Sequence, residues 1–107
     1  MAASRVADIL PQLAAELAAG LRGAGEDALA GQVASLRLVA RSGCGDAFCA
    51  SFHTAPPPRG AYGEGHRNVE VPVPKGVVIL DVVQDRVVFV EVLDRGDVRA
   101  LLRDAAR

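Results

Sequence analysis

The sequence predicts an α+β domain with an N-terminal helix, a mainly antiparallel, meander-like sheet of about five strands and a C-terminal helix. Apolar residues near the N-terminus recur at three- and four-residue intervals, which is typical of an amphipathic helix. Two β-branched runs flank Gln84 and Asp85 and predict a β-hairpin. Residues 94–107 again show helical spacing after a capping aspartate, either Asp94 or Asp97.

The chain of 107 residues predicts one domain that spans 1–107. We assign residues 1–24 to the N-terminal helix, 32–93 to the sheet and 94–107 to the C-terminal helix. Half of the residues are hydrophobic, so the chain can bury a core, although a chain this short buries a modest one.

The position of Pro11 decides where the first helix begins. A proline in a helix interior costs about 3 kcal/mol, so we place it in the first turn. Asp8 is then the expected cap, and the regular helix runs to about Arg22. The segment 26–31 predicts one further short helical turn.

Five segments have strand-like composition, and consecutive strands are expected to be neighbours in the sheet. They are residues 32–41, 47–54, 68–73, 77–83 and 86–93. The segment 55–67 contains three prolines and three glycines and predicts a long loop.

Regular pairing across the hairpin predicts which residues share a face of the sheet. Phe89 and Glu91 are then expected on the face of Leu80, and Asp81 on the opposite face with Arg86 as its diagonal partner. Asp81 and Glu91 would therefore not form a catalytic pair. Both faces are largely apolar and must be covered, which motivates the hypothesis of self-association through a sheet face.

Composition argues against two classes of partner. Lys plus Arg is 12 and Asp plus Glu is 13, with 4% aromatic residues and no Trp, so no nucleic-acid partner is expected. Acidic residues interrupt the apolar N-terminal segment, and no stretch is apolar for the length of a bilayer, so neither a signal peptide nor a membrane partner is predicted. We therefore expect a cytoplasmic protein with reduced thiols.

All of the Cys and His residues of the chain are candidate metal ligands: Cys44, Cys49, His53 and His66. Two cysteines and two histidines suit tetrahedral zinc. In an extended strand, Cys49 and His53 would lie about 13 Å apart, too far for one ion. A zinc site would need Cys44, one residue of the strand and His66 from the loop, or a break in the strand. No cofactor is our first expectation, and zinc is the alternative.

The two cysteines have three interpretations: structural thiols, metal ligands or a disulfide. A disulfide between Cys44 and Cys49 would need a register that separates the apolar faces of strands 32–41 and 47–54, so the pattern mildly disfavours it. The spacing is not C-x-x-C, which argues against a thioredoxin-like dithiol. We favour structural thiols and keep the other two interpretations open.

The loop 55–67 is a candidate ligand-binding segment. Tyr62, Glu64, His66 and Arg67 lie among three glycines, as in a mobile loop that closes on a small ligand. The glycine spacing does not match the dinucleotide-binding motif. A flexible connector is the simpler interpretation of the same residues.

Three segments carry a resemblance: "SGCGDAFCASFHTAP", "GAYGEGHRNV" and "GVVILDVVQDRVVFVEVLDRGDVR". Together they resemble a group of small single-domain proteins of unknown function from actinomycete-type bacteria, over most of the chain beyond the first helix. The resemblance implies no activity, substrate or cofactor. Members of that group often carry C-x-C-G-x-x-x-C, where this chain has Ser42 in place of the first cysteine, which argues against a shared metal site here.

Two functional hypotheses follow from these observations. The first is a non-enzymatic binding or interaction module that forms a homodimer through an apolar sheet face. The second is a small zinc- or thiol-redox protein that uses Cys44, Cys49 and His66. No constellation of residues supports a particular reaction, so the sequence leaves open whether the protein is an enzyme.

Overall fold

The computed structural model describes residues 3–41 and 49–105 and confirms the α+β class. The elements follow in chain order: α1 (Val6–Ile9), α2 (Pro11–Gly23), α3 (Asp27–Ala30), a 3₁₀ turn (Val33–Ser35), β1 (Ala40–Arg41), β2 (Phe52–His53), β3 (His66–Val71), β4 (Val77–Val83), β5 (Arg86–Leu93) and α4 (Gly96–Ala105).

The five strands form one antiparallel sheet in the order β1-β2-β5-β4-β3. Strands β3, β4 and β5 form a meander, as the sequence predicts. The expectation that all consecutive strands are neighbours is wrong at one point, because β2 pairs with β5 and β3 lies at the far edge. The long segment between β2 and β3 is what allows the chain to pass from one side of the hairpin to the other.

The hairpin of β4 and β5 closes through a two-residue turn. Gln84 and Asp85 have φ values of 49° and 65°, so both adopt the left-handed conformation of a type I′ turn. Next to the turn the pairing is as predicted, with Val82 opposite Val87, but Asp81 then lies opposite Phe89. A β-bulge between these pairs therefore leaves one extra residue in β5 and shifts every later pair by one position.

The first helix differs from the prediction at its beginning. Leu10 separates the single turn of α1 from α2, and Pro11 is the first residue of α2, where its missing N–H costs nothing. Asp8 is therefore not the cap of α2. Its carboxylate instead lies 3.1 Å from the Arg5 guanidinium. The short helical turn expected at 26–31 is confirmed as α3.

The predicted strand 32–41 is mostly absent. Val33–Ser35 forms a 3₁₀ turn, and the strand is limited to Ala40–Arg41. Val33 and Leu36 are both buried, and their three-residue spacing fits a 3₁₀ turn, in which residues i and i+3 lie on the same side, whereas a strand would place them on opposite faces. The side chain of Gln32 donates to the carbonyl oxygen of Asp85 and accepts from the Val87 amide, which fixes this turn against the hairpin.

One hydrophobic core lies between the helices and one face of the sheet. Gly20 in α2 is the point of closest approach, because a Cβ there would lie 2.7 Å from Val71 Cγ1 and would clash with the Pro72 carbonyl oxygen. Arg95 is completely buried at the edge of this core and bridges Glu16 of α2 and Asp97 of α4 at 2.7 and 3.0 Å. These contacts fix the orientation of the helices on the sheet.

Candidate functional site

The two faces of the sheet have different surroundings. In β4, buried and partly exposed residues alternate strictly: Val78, Leu80 and Val82 are at most 1% exposed, whereas their neighbours are half-buried or exposed. The buried set packs against the helices in the core. The helices that the structure describes pack on this buried side and not on the other face.

We call this second surface the open face. Its members are the residues of β2 to β5 that the register places on the side away from the core: His53, His66, Asn68, Glu70, Val77, Ile79, Asp81, Val83, Arg86, Phe89, Glu91 and Leu93. Val77 is the most exposed large apolar residue among them, at 40%. The open face thus combines an apolar centre with carboxylates and both histidines of the chain.

A polar cluster lies on the open face where β3 meets the preceding loop. The Asp81 carboxylate accepts hydrogen bonds from Asn68 Nδ2 and from His66, whose Nε2 lies 2.7 Å away. The ring of Tyr62 contacts that of His66, with centroids 4.8 Å apart. Burial, together with the nearby charge of Asp81, raises the pKa of the Tyr62 hydroxyl.

The structure divides the predicted ligand-binding loop between two sides of the sheet. Tyr62 and His66 join the polar cluster on the open face. Arg67, the next residue in β3, points the other way and forms a two-pronged ion pair with Glu26, at 2.9 and 3.0 Å. This pair raises the pKa of Arg67 and lowers that of Glu26, in both cases mainly through the hydrogen bond. Glu64 is exposed.

The β-bulge corrects the predicted distribution of acids and aromatics. Phe89 and Glu91 lie on the same face as Asp81, because Asp81 pairs with Phe89 and Ile79 pairs with Glu91. Phe89 also stacks on His53 of β2 at a centroid distance of 4.6 Å. The expected partner of Asp81, Arg86, is replaced by His66. A row of side chains therefore runs across the open face from Asn68 to His53.

The proposed metal ligands do not converge within the described residues. His53 is on β2 and His66 on β3, with β5 and β4 between them, so about 14 Å separates their strands. One ion cannot bind both. Residues 3–41 and 49–105 contain no group of three His, Cys, Asp or Glu side chains that would hold a metal. Cys44 lies outside the described residues, so its part in a zinc site stays a prediction.

Cys49 is disulfide-bonded rather than a reduced thiol. The prediction of a reduced structural thiol is therefore wrong for this residue. The argument against a disulfide assumed a regular hairpin of strands 32–41 and 47–54. Residues 32–39 do not form a strand, so that argument does not hold. Cys49 lies opposite Leu93 in an isolated bridge, with its Sγ 3.3 Å from Ser51 Oγ.

Sequence analysis missed Arg95 and the cavity that Arg37 and Arg86 line. Arg95 is the first residue of an Arg-Gly-Asp tripeptide, and its guanidinium turns inward onto Asp97. Glu16 is the signal that could have revealed this partner. It is an acid within the apolar N-terminal segment and, once α2 packs, it needs a cation beside it. The cavity combines residues from three distant segments and has no local signal.

The chain matches no protein-family model, no curated protein and no solved structure. The resemblance to small actinomycete-type proteins therefore stays a prediction. Within the described parts of the chain, no helix has both the length and the apolar character needed to cross a lipid bilayer.

Proposed function

We propose that the protein is a non-enzymatic interaction module that self-associates through its open face. The observation that carries the proposal is the asymmetry of the sheet, whose helices lie on one face while Val77, Ile79, Phe89 and Leu93 remain on the other. Contiguous apolar residues on a surface, surrounded by polar ones, are typical of a protein–protein interface.

The polar groups of the open face are compatible with its burial. Asp81 already accepts hydrogen bonds from His66 and Asn68, so its carboxylate keeps partners when water is removed. Its side chain is 19% exposed, which means that part of its desolvation has occurred in the single chain. Glu70 and Glu91 lie on either side of Ile79, and Glu91 stands between Phe89 and Leu93 in β5, so both carboxylates need water or a donor of the second copy in a dimer.

A second copy of the chain is the occupant that we propose. Two antiparallel sheets pack face to face at about −30° with interdigitated side chains, and a two-fold axis through the apolar centre brings each open face against the other. Strand β5 has eight residues, so the face is about 26 Å long. That length suits an interface of standard size.

Sedimentation analysis of the full chain tests this proposal. We expect a dimer for the wild type and a monomer for Phe89→Asp, because a buried carboxylate at the centre of the interface has no partner. Leu101→Asp is the matched control, since Leu101 is 43% exposed on α4, away from the open face. It should remain dimeric. A wild-type chain that is monomeric at every concentration, or dimers that survive Phe89→Asp, would refute the proposal.

We place this module in the cytoplasm and without a nucleic-acid or membrane partner, in line with the near-balanced charge of the chain. The disulfide at Cys49 bears on that location, since disulfides are rare in a reducing compartment. Mass spectrometry of alkylated protein from intact cells measures the redox state directly. A fully oxidised Cys49 there would argue for an oxidising compartment.

The disulfide also favours a second candidate function, thiol redox chemistry. In such a step an external dithiol is oxidised, and the disulfide at Cys49 takes up two electrons and two protons to give two thiols. The reduced form would then offer Cys44 and Cys49 to zinc, without the predicted ligand His66, because β5 and β4 lie between His66 on β3 and the segment of Cys49. Elemental analysis of reduced protein tests the metal, with Cys49→Ser as the control. If the reduced chain neither binds zinc nor exchanges with dithiols, the redox function is refuted and the interaction module is the remaining proposal.

A further inference from the structure

A cavity of about 470 Å³ opens beside the β-bulge and lies apart from the polar cluster of the open face. Its walls come from three segments: residues 32–37 around the 3₁₀ turn, residues 54–56 after β2, and the beginning of β5. Its size falls within the range of about 300–1,000 Å³ that is typical of small-molecule sites. Bulges are common next to such sites because they redirect side chains.

The charges around this cavity are of one sign. Arg37 and Arg86 both line it, and its lining contains no Asp or Glu, although the chain as a whole has a net charge of −1. Asp85 precedes Arg86 in the sequence but does not line the cavity. Two arginine residues therefore line a cavity that has no carboxylate in its walls.

The cavity wall is held in place by hydrogen bonds. Gln32 bridges the hairpin, as described above, and Thr54 Oγ1 donates to the Val87 carbonyl oxygen at 2.9 Å. The amides of Thr54 and Ala55 both donate to the Val88 carbonyl oxygen at 3.0 and 3.3 Å. A site that is formed before the ligand arrives loses less entropy on binding.

The two arginines are held to different degrees. Arg37 donates one hydrogen bond, from its Nη1 to the Ala3 carbonyl oxygen at 3.0 Å. This bond uses one of the five N–H donors of a guanidinium and positions the others. Arg86 is exposed and lies at the first position of β5. Guanidinium groups bind carboxylate and phosphate oxygens through paired hydrogen bonds.

We propose that this cavity binds a small oxyanion, a phosphate or carboxylate, that carries an apolar group. Arg37 and Arg86 bind the anion, and the apolar group lies against Leu36, Pro56 and Val88. The inference does not rest on self-association, because Leu36, Arg37 and Pro56 lie outside the open face and Arg86 lies at its end, as the first residue of β5 beside the turn.

Titration of the ¹⁵N-labelled full chain with phenyl phosphate, followed by amide NMR, tests the inference. We expect saturable shifts at Thr54, Val87 and Val88. Inorganic phosphate should bind more weakly because it lacks the ring, and benzyl alcohol more weakly still because it lacks the charge. Benzoate in place of phenyl phosphate distinguishes a carboxylate ligand from a phosphate.

Arg37→Gln and Arg86→Gln should each weaken phenyl phosphate binding about tenfold or more, since a hydrogen bond to a charged group is lost. Arg103→Gln on α4, where Arg103 is 61% exposed, is the matched control and should bind as the wild type does. Arg37 and Arg86 are both exposed, so we expect the variants to fold. Unchanged amide signals away from the cavity verify that they do. Absence of saturable shifts, equal binding of benzyl alcohol, or wild-type affinity in both variants would overturn the inference.

Discussion

The two faces of the same sheet differ in what their residues contribute. The covered face consists of valine and leucine against the helices, with Val78, Leu80 and Val90 at most 1% exposed. The open face carries apolar residues too, but they alternate along its rows with carboxylates and histidines. The stability of the domain therefore depends mainly on the covered face.

The β-bulge produces this difference. Without it, Phe89 and Glu91 would point into the core, and Val90 and Val92 would point outward. With the bulge, the valines are fully buried and the aromatic ring and the acid lie on the open face. One extra residue in β5 thus removes a carboxylate from the core, where its burial without a partner would cost several kcal/mol.

The largest expected contrast comes from two neighbouring residues of β4. Leu80→Ala leaves a cavity in the covered face, and we expect it to lower the free energy of unfolding by about 2–5 kcal/mol. Ile79→Ala removes a half-buried side chain from the open face and should cost the single chain about 1 kcal/mol. Urea unfolding at low protein concentration measures both. An equal or greater loss for Ile79→Ala would contradict the division into two faces.

A similar contrast, between a buried and an exposed group, applies to two arginine ion pairs that join distant segments of the chain. Arg95→Met should lower the free energy of unfolding by about 3 kcal/mol, because it leaves Glu16, 10% exposed, without its main partner. Arg67→Met removes the exposed ion pair with Glu26 and should leave the unfolding midpoint within error of the wild type. Equal unfolding midpoints for the two variants would mean that the burial of Arg95 does not increase its contribution to stability.

The third contrast uses two glycines of α2. Gly20→Ala forces α2 away from β3, because the new Cβ meets Val71 and Pro72, and should cost about 1–3 kcal/mol. At Gly23, the last residue of α2, an added Cβ meets nothing within 4 Å. Gly23→Ala should be neutral or stabilise the chain by up to about 1 kcal/mol through helix propensity. Thermal unfolding of both variants measures the difference, and a stabilising Gly20→Ala would contradict the close approach.

The fold class and the main elements could be predicted from local patterns. Pro11 and the apolar spacing around it predict α2. The β-branched runs beside Gln84 predict the hairpin of β4 and β5. The strand predicted at 32–41 was wrong over residues 32–39. Leu36, Leu38 and Ala40 alternate as in a strand, but Gln32 contacts a hairpin about fifty residues later, and a 3₁₀ turn forms there instead.

The candidate sites were harder to predict, since each depends on register. A single bulge moved Phe89 and Glu91 to the face of Asp81, and no local signal in β5 marks it. The sequence identified His66 as a site residue but not its partner Asp81. The two side chains meet because β3 pairs with β4 in the register that places Asn68 opposite Asp81. Arg37 and Arg86 come together because the turn at 32–37 packs beside the hairpin, which periodicity does not reveal.

The smallest effect concerns pH and the ion cluster at the edge of the covered face. The hydrogen bonds of the buried Arg95 lower the pKa of Asp97 from 3.8 to about 2. The unfolded chain therefore binds more protons than the folded chain between these two values, and stability falls as the pH falls through about 4 towards about 2. Because Asp97 is 37% exposed, solvent screening reduces this contribution to about 1 kcal/mol.

Asp97→Asn isolates the contribution of this carboxylate. At pH 7 the variant should be less stable than the wild type by about that amount, and the difference should shrink as the pH falls from about 4 and vanish below about 2, where Asp97 is protonated in both states. Asp104→Asn is the matched control, because Asp104 is 63% exposed at the far end of α4, and its difference from the wild type should be small at every pH. A gap for Asp97→Asn that stayed constant from pH 7 to pH 2 would mean that the charge of Asp97 does not stabilise the covered face.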